Sequence, residues 1–142
     1  MRISMSVCVV VASLSLVSFT HAATFAPEEQ KVLEVILRMP GNGTALLDEK
    51  ATGKARMIAK FDRLSDLDLT KLKGCPLIVE LEVIDASRCT DRGMDLIRSL
   101  PNLERLTLQK PAITDKGMIA FKSMPRLKSL YFAESRITES LP

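Results

Sequence analysis

The chain has 142 residues, of which 46% are hydrophobic, 26% charged and 4% aromatic, with a net charge of +3. That length suits one domain, and the composition is that of an ordinary globular protein whose core must be aliphatic. So mild a charge, without basic runs or bases interleaved with aromatics, argues against a nucleic-acid-binding surface.

Arg2 precedes an uncharged apolar run from Val7 to Phe19, and Thr20-His21-Ala22-Ala23 offers small residues for cleavage. This is the layout of a secretory signal peptide, with the cut expected after Ala22 or Ala23. The run is shorter than the roughly 20 apolar residues of a membrane span. No stable span is therefore expected after removal, and the protein is expected to be exported, to the periplasm or beyond. Cys8 lies too early to mark a lipoprotein signal. Removal takes one of the 20 bases, Arg2, and none of the 17 acids, leaving +2. It also takes His21, the sole histidine. What remains cannot build a Ser-His-Asp or Cys-His pair and lacks the commonest transition-metal ligand. No catalytic residue, metal or cofactor is expected.

Ala26 to Met39 is predicted to be a helix. Pro27 suits its first turn, Glu28 and Glu29 favour its positive end, Val32, Leu33, Ile36 and Leu37 share one face, and Pro40-Gly41 stops it. Asn42-Gly43-Thr44 fits the glycosylation pattern, but Asn-Gly is first of all a turn dipeptide. Thr44 to Leu47 and Ala55 to Phe61 are predicted to pair as a hairpin across a loop at Asp48 to Lys54. Met57, Ala59 and Phe61 alternate there with Arg56, Ile58 and Lys60. Residues 24–63 thus form a cap for the remainder of the chain.

From Leu64 a sentence repeats. Leu64-Ser65-Asp66 through Cys75-Pro76-Leu77-Ile78 returns 25 residues later as Cys89-Thr90-Asp91 through Leu100-Pro101-Asn102-Leu103, and after 24 more as Ile113-Thr114-Asp115 through Met124-Pro125-Arg126-Leu127. A fourth copy opens at Ile137-Thr138-Glu139. Such a period marks stacked units. Each holds a strand, Ile78-x-x-Leu81-x-Val83, Leu103-x-x-Leu106-x-Leu108 or Leu127-x-x-Leu130-x-Phe132, whose last two apolar residues face the core. A loop then leads to Thr-Asp, which caps a short helix that closes at Leu100-Pro101 or Met124-Pro125. The first copy carries Asp68 where Gly93 and Gly117 stand, as a junction between cap and repeats. Cys75 and Cys89 occupy places held elsewhere by Leu100 and Met124, or by Ile113 and Ile137. They fit as small buried hydrophobes, with a disulfide as the alternative for an exported chain.

The strings Leu-x-x-Leu-x-Leu, Thr-Asp-x-Gly-Met and Leu-Pro-Asn-Leu resemble the leucine-rich repeat family. Lys73-Gly74-Cys75-Pro76 and Cys89-Thr90-Asp91-Arg92-Gly93 resemble its cysteine-containing subtype, and the helix-plus-hairpin prelude resembles secreted bacterial members. The resemblance covers 64–142 closely and 26–63 loosely. It implies an α/β fold, a short right-handed solenoid with parallel strands on a concave face and helices on a convex one. It also implies a protein partner on the concave face. The outward strand positions form three columns there: Glu80, Arg105 and Ser129; Glu82, Thr107 and Tyr131; Ile84, Gln109 and Ala133. Tyr131 stands out, because aromatics are enriched at binding hot spots. A merely solvated sheet with a weak Glu80–Arg105 pair is the bland alternative. An enzyme working through Glu80, Glu82 and Asp85 is a second. A ubiquitin-ligase adaptor, a role of eukaryotic relatives, needs a recruiting domain that the chain has no room for, and export contradicts it. Because the fourth copy brings no helix, the end bearing Leu130, Phe132 and Ile137 is expected to be partly uncovered. A truncated repeat protein with a structural or self-associating role is the remaining alternative.

Overall fold

In the computed structural model, residues 9–11, 27–47 and 56–134 are described. They form β1 (Val9–Val11), α1 (Pro27–Leu37), β2 (Thr44–Leu47), β3 (Met57–Ser65), α2 (Asp66–Leu72), β4 (Ile78–Arg88), α3 (Asp91–Arg98), β5 (Arg105–Gln109), α4 (Asp115–Lys122) and β6 (Ser129–Ala133). The class is α/β. The six strands lie side by side in chain order. β1, β2 and β3 are antiparallel neighbours, whereas β3 to β6 are all parallel, with β4, β5 and β6 each reached through a helix. A parallel step needs such a crossover, and the 24- or 25-residue repeat supplies one.

The helix predicted over 26–39 spans Pro27–Leu37. Its last turn gives way just before Pro40, since a residue preceding proline avoids the helical region. Met39 is buried all the same. Ile36 is buried, and Val32, Leu33 and also Val35 pack against the core. The chain then turns through Gly41 (φ 101°) and Asn42 (φ 50°). Gly41 O accepts from Asp62 N (2.9 Å), and a Cβ at Gly41 would run into the backbone of Arg63. Asn42 Nδ2 donates to Asp62 Oδ2 (2.9 Å), so the Asn-Gly pair serves the turn. The predicted hairpin loop, 48–54, lies outside the described residues, as do Cys8, His21 and Ile137. Val9–Val11, inside the segment expected to be a leader, runs antiparallel beside β2.

Two strands extend beyond expectation. β3, predicted to end at Phe61, continues to Ser65, and it is more than the return strand of a hairpin. It pairs parallel with β4, with Ala59 opposite Leu81 and Phe61 opposite Val83. Its Met57, Ala59 and Phe61 are buried as predicted. The parallel array therefore starts one strand before the Leu-x-x-Leu-x-Leu pattern becomes visible. β4 runs on to Arg88 where a loop was expected, pairing Arg63 with Asp85 and Ser65 with Arg88 through an irregular register.

The core lies between the sheet and its helices. Leu81, Val83, Leu106 and Leu108 from the strands meet Leu69, Met94, Ile97 and Phe121 from the helices in one cluster. Leu64, Cys89 and Ile113 fill equivalent buried places. The neighbours α2 and α3, and α3 and α4, pack on each other.

A polar ladder links consecutive helices. Thr90 N and Oγ1 donate to the two carboxylate oxygens of Asp66 (2.8 and 2.6 Å). One unit later, Thr114 N and Oγ1 donate to Asp91 (2.7 and 2.7 Å). Each threonine also accepts from the N–H two residues on and so caps its own helix. The Thr114 N–H and hydroxyl hold the Asp91 carboxyl below its ordinary value. Gly93 and Gly117 leave room for this carboxylate. A Cβ on Gly117 would stand 2.6 Å from Asp91 Oδ1, and one on Gly93 would meet Asp66 Oδ1. The first unit has no predecessor of this kind. Ser65 N and Oγ donate instead to Asp68 of the same helix (3.0 and 2.6 Å), closing a capping box. Asp68 stands where the later units need glycine, and among the described residues no earlier aspartate reaches that spot.

Candidate functional site

The exposed side of the sheet presents the outward residues in straight rows. Ile58, Glu80, Arg105 and Ser129 are successive register partners, and so are Lys60, Glu82, Thr107 and Tyr131. Gln109 pairs with Ala133, and Ile84 follows Val83 on β4. The first two predicted columns, and Gln109 with Ala133 of the third, are thus brought together, and β3 adds Ile58 and Lys60, which the repeat pattern does not mark. The strand is predicted, but not its parallel pairing with β4: Ala59 occupies a leucine position and breaks the repeat pattern.

Charge is paired off within this face. Lys60 Nζ lies 2.7 Å from Glu82 Oε2, and Arg105 Nε 3.2 Å from Glu80 Oε2. The hydrogen bond to Glu82 raises the Lys60 pKa, against some opposition from desolvation. Beyond these pairs the face is uncharged toward β6: Thr107, Gln109, Ser129 and Ala133 surround Tyr131. Tyr131 and Ile84 are exposed, at 58% and 50%. An open apolar side chain beside neutral hydrogen-bonding groups is a surface that desolvates at little cost.

The three carboxylates weighed for acid–base work each have a base of their own: Glu80 has Arg105, Glu82 has Lys60 and Asp85 has Arg63 (3.3 Å). Hydrogen bonds from Ser87, and then Arg63, hold the Asp85 carboxyl low. Across the array, Glu104 accepts from Arg56 (3.0 Å) and Lys128 (3.1 Å), and Lys128 first of all draws its carboxyl down.

Cys75 and Cys89 are free thiols. Cys89 Sγ donates to Leu64 O (3.4 Å), and burial pushes its thiol up to about 12. A thiol so held is a packing group. Cys75 is half-buried against the core. A cleft of about 460 Å³, not anticipated from the sequence, opens between the Pro40–Asn42 turn and the start of α2. Its Asn42, Asp62, Arg63, Ser65 and Asp68 are engaged with one another or with Asp85, while the side chain of Arg88, which also lines it, has no ion pair or hydrogen bond among the described residues. Among the described residues no group of three or more acidic, Cys or His side chains is placed to hold a metal ion, and no helix is long and apolar enough to cross a membrane. No family model and no curated protein matches the chain.

Proposed function

We propose that the chain is a short right-handed solenoid of the leucine-rich repeat type, exported by its leader, that binds a protein partner on its open sheet face. The observation that carries this is the register of that face. Four strands present aligned rows whose charges cancel internally, leaving Tyr131 and Ile84 exposed beside Thr107 and Gln109. Arg105 and Ser129 flank this patch, and Glu80 and Glu82 border it. The 24- to 25-residue repeat and the sequential parallel strands support a solenoid. Pairing of each carboxylate with its own base favours binding over acid–base catalysis. A partner verified by direct binding to the wild-type chain is expected to lose affinity about a hundredfold or more when Arg105→Glu is combined with Tyr131→Ala. Undiminished binding would remove the face from consideration. Retention of a tagged full-length chain in the cytosol would sink the export assignment.

A further inference from the structure

We propose that β6 joins two copies of this chain, pairing antiparallel with its counterpart about a two-fold axis through Tyr131. This does not rest on the partner-binding face. β6 is the open edge of the sheet: β5 lies on one side, and no described strand lies on the other. Ser129 N donates to Glu104 O, and Ala133 O accepts from Lys110 N, so residues 129 and 133 turn their backbone toward β5. Alternation along the strand then turns the N–H and C=O groups of Leu130 and Phe132 to the open side. Nothing on β6 blunts this edge. Ser-Leu-Tyr-Phe-Ala carries no proline and no charge, the devices by which edge strands ordinarily avoid pairing.

The sequence around Tyr131 is complementary to itself when reversed. A two-fold through Tyr131 sets Leu130 opposite Phe132 of the second copy, Ser129 opposite Ala133, and Lys128 opposite Glu134. Each occurs twice, as a closed isologous contact requires. Leu130 and Phe132, whose backbone groups face outward, become the hydrogen-bonded pairs of an antiparallel ladder. Tyr131, whose backbone faces β5, becomes the non-hydrogen-bonded centre. The axis runs through the sheet from face to face, so helices stay on the helical side in both copies. Leu130 and Phe132 are only half-buried in one chain, whereas Leu106 and Leu108 are 1% and 0% exposed. Ile119 of α4 is 62% exposed, where the preceding helices carry Asp95 and Thr70. Lys128 and Glu134 each touch an ion partner in their own chain, Glu104 and Lys110. Glu134 and Lys110, the residues that follow β6 and β5, share a positive φ (53° and 55°).

Sedimentation of the full chain over a wide concentration range is expected to show a mass rising to twice that of one chain and no further. Glu134→Lys places like charges opposite each other twice and should weaken the dimer about tenfold, and adding Lys128→Glu should restore it. With Cys8 and Cys75 replaced by serine, Tyr131→Cys should form an intermolecular disulfide quickly, because Cα atoms of a non-hydrogen-bonded pair lie about 4.5 Å apart. Thr107→Cys, one strand inward on the same face, should not. A monomer at every concentration, open-ended polymers, no rescue by the charge swap, or equal cross-linking at 107 and 131 would each overturn the proposal. The cross-link needs no variant that alters the charge pairs within the chain, so it decides the matter if the charge variants fail to fold.

Discussion

Equivalent positions in β5 and β6 hold similar side chains in different surroundings. Leu106 and Leu108 are sealed between β4 and β6, whereas among the described residues Leu130 and Phe132 have a neighbouring strand on one side only. The polar ladder shows the same contrast. Asp66 and Asp91 each accept two bonds from the following unit, while Asp115, at the same place on α4, has no partner among the described residues. In a stack, burial and hydrogen bonding belong to the seam between units, and a residue is core or surface according to what comes next.

The widest gap is expected in the core. Leu106→Ala should cost about 3 kcal/mol, and Leu130→Ala about 1 kcal/mol at concentrations where the chain is monomeric. Denaturant titration measures both, and equal costs would erase the distinction between seam and end. Next comes the glycine that makes room for the ladder. Gly117→Ala should destabilise by about 1–2 kcal/mol despite alanine's better helix propensity. Combined with Asp91→Ala, it should cost less than the sum of the two, since the clash and its cause go together. Additive costs would mean that the carboxylate is not what forbids the methyl group.

Thr114→Val removes the hydroxyl that both caps α4 and bonds Asp91, and should cost about 1 kcal/mol. Acid titration reads the same seam. A carboxyl whose folded pKa is lowered stabilises the fold above its unfolded pKa and loses that contribution as the pH falls through the folded one. Asp91 is held below 3.8 by Thr114. Stability should therefore decline below about pH 4, and Asp91→Asn should remove part of that decline. An unaltered acid profile would show that the seam bonds are not made in solution. The smallest effect belongs to the exposed face: Lys60→Met should change stability by about 0.5 kcal/mol or less, because an exposed ion pair gains little.

From β4 onward, the repeat predicts which strand residues are buried and which share a row, because a fixed period imposes the register on every copy. The failures fall where the period is broken. Ala59 stands in a leucine place, which hides that β3 begins the parallel array. The extension of β4 to Arg88 depends on pairing with Arg63 and Ser65 of another strand, and no local pattern announces that. Thr-Asp was legible as a helix cap. That its aspartate reaches into the next unit, and that the glycine two residues later clears its path, is a contact across about 24 residues of chain. Asp68 in the glycine place was the one visible clue.

The seam is also directional, which bears on how such a chain can lengthen. The stretch from Cys89 to Ala112 carries a threonine that donates backward, an aspartate that accepts forward and a glycine that admits its predecessor's carboxylate. Duplicated in tandem, it would find each of those needs met at both new joins, so one recombination event could add a layer without further change. The stretch beginning at Leu64 has no such freedom. Moved inward, Asp68 would set its side chain where the preceding helix places its own carboxylate, and two acids would contend for one serine, Ser65. A single residue thus fixes which unit must come first.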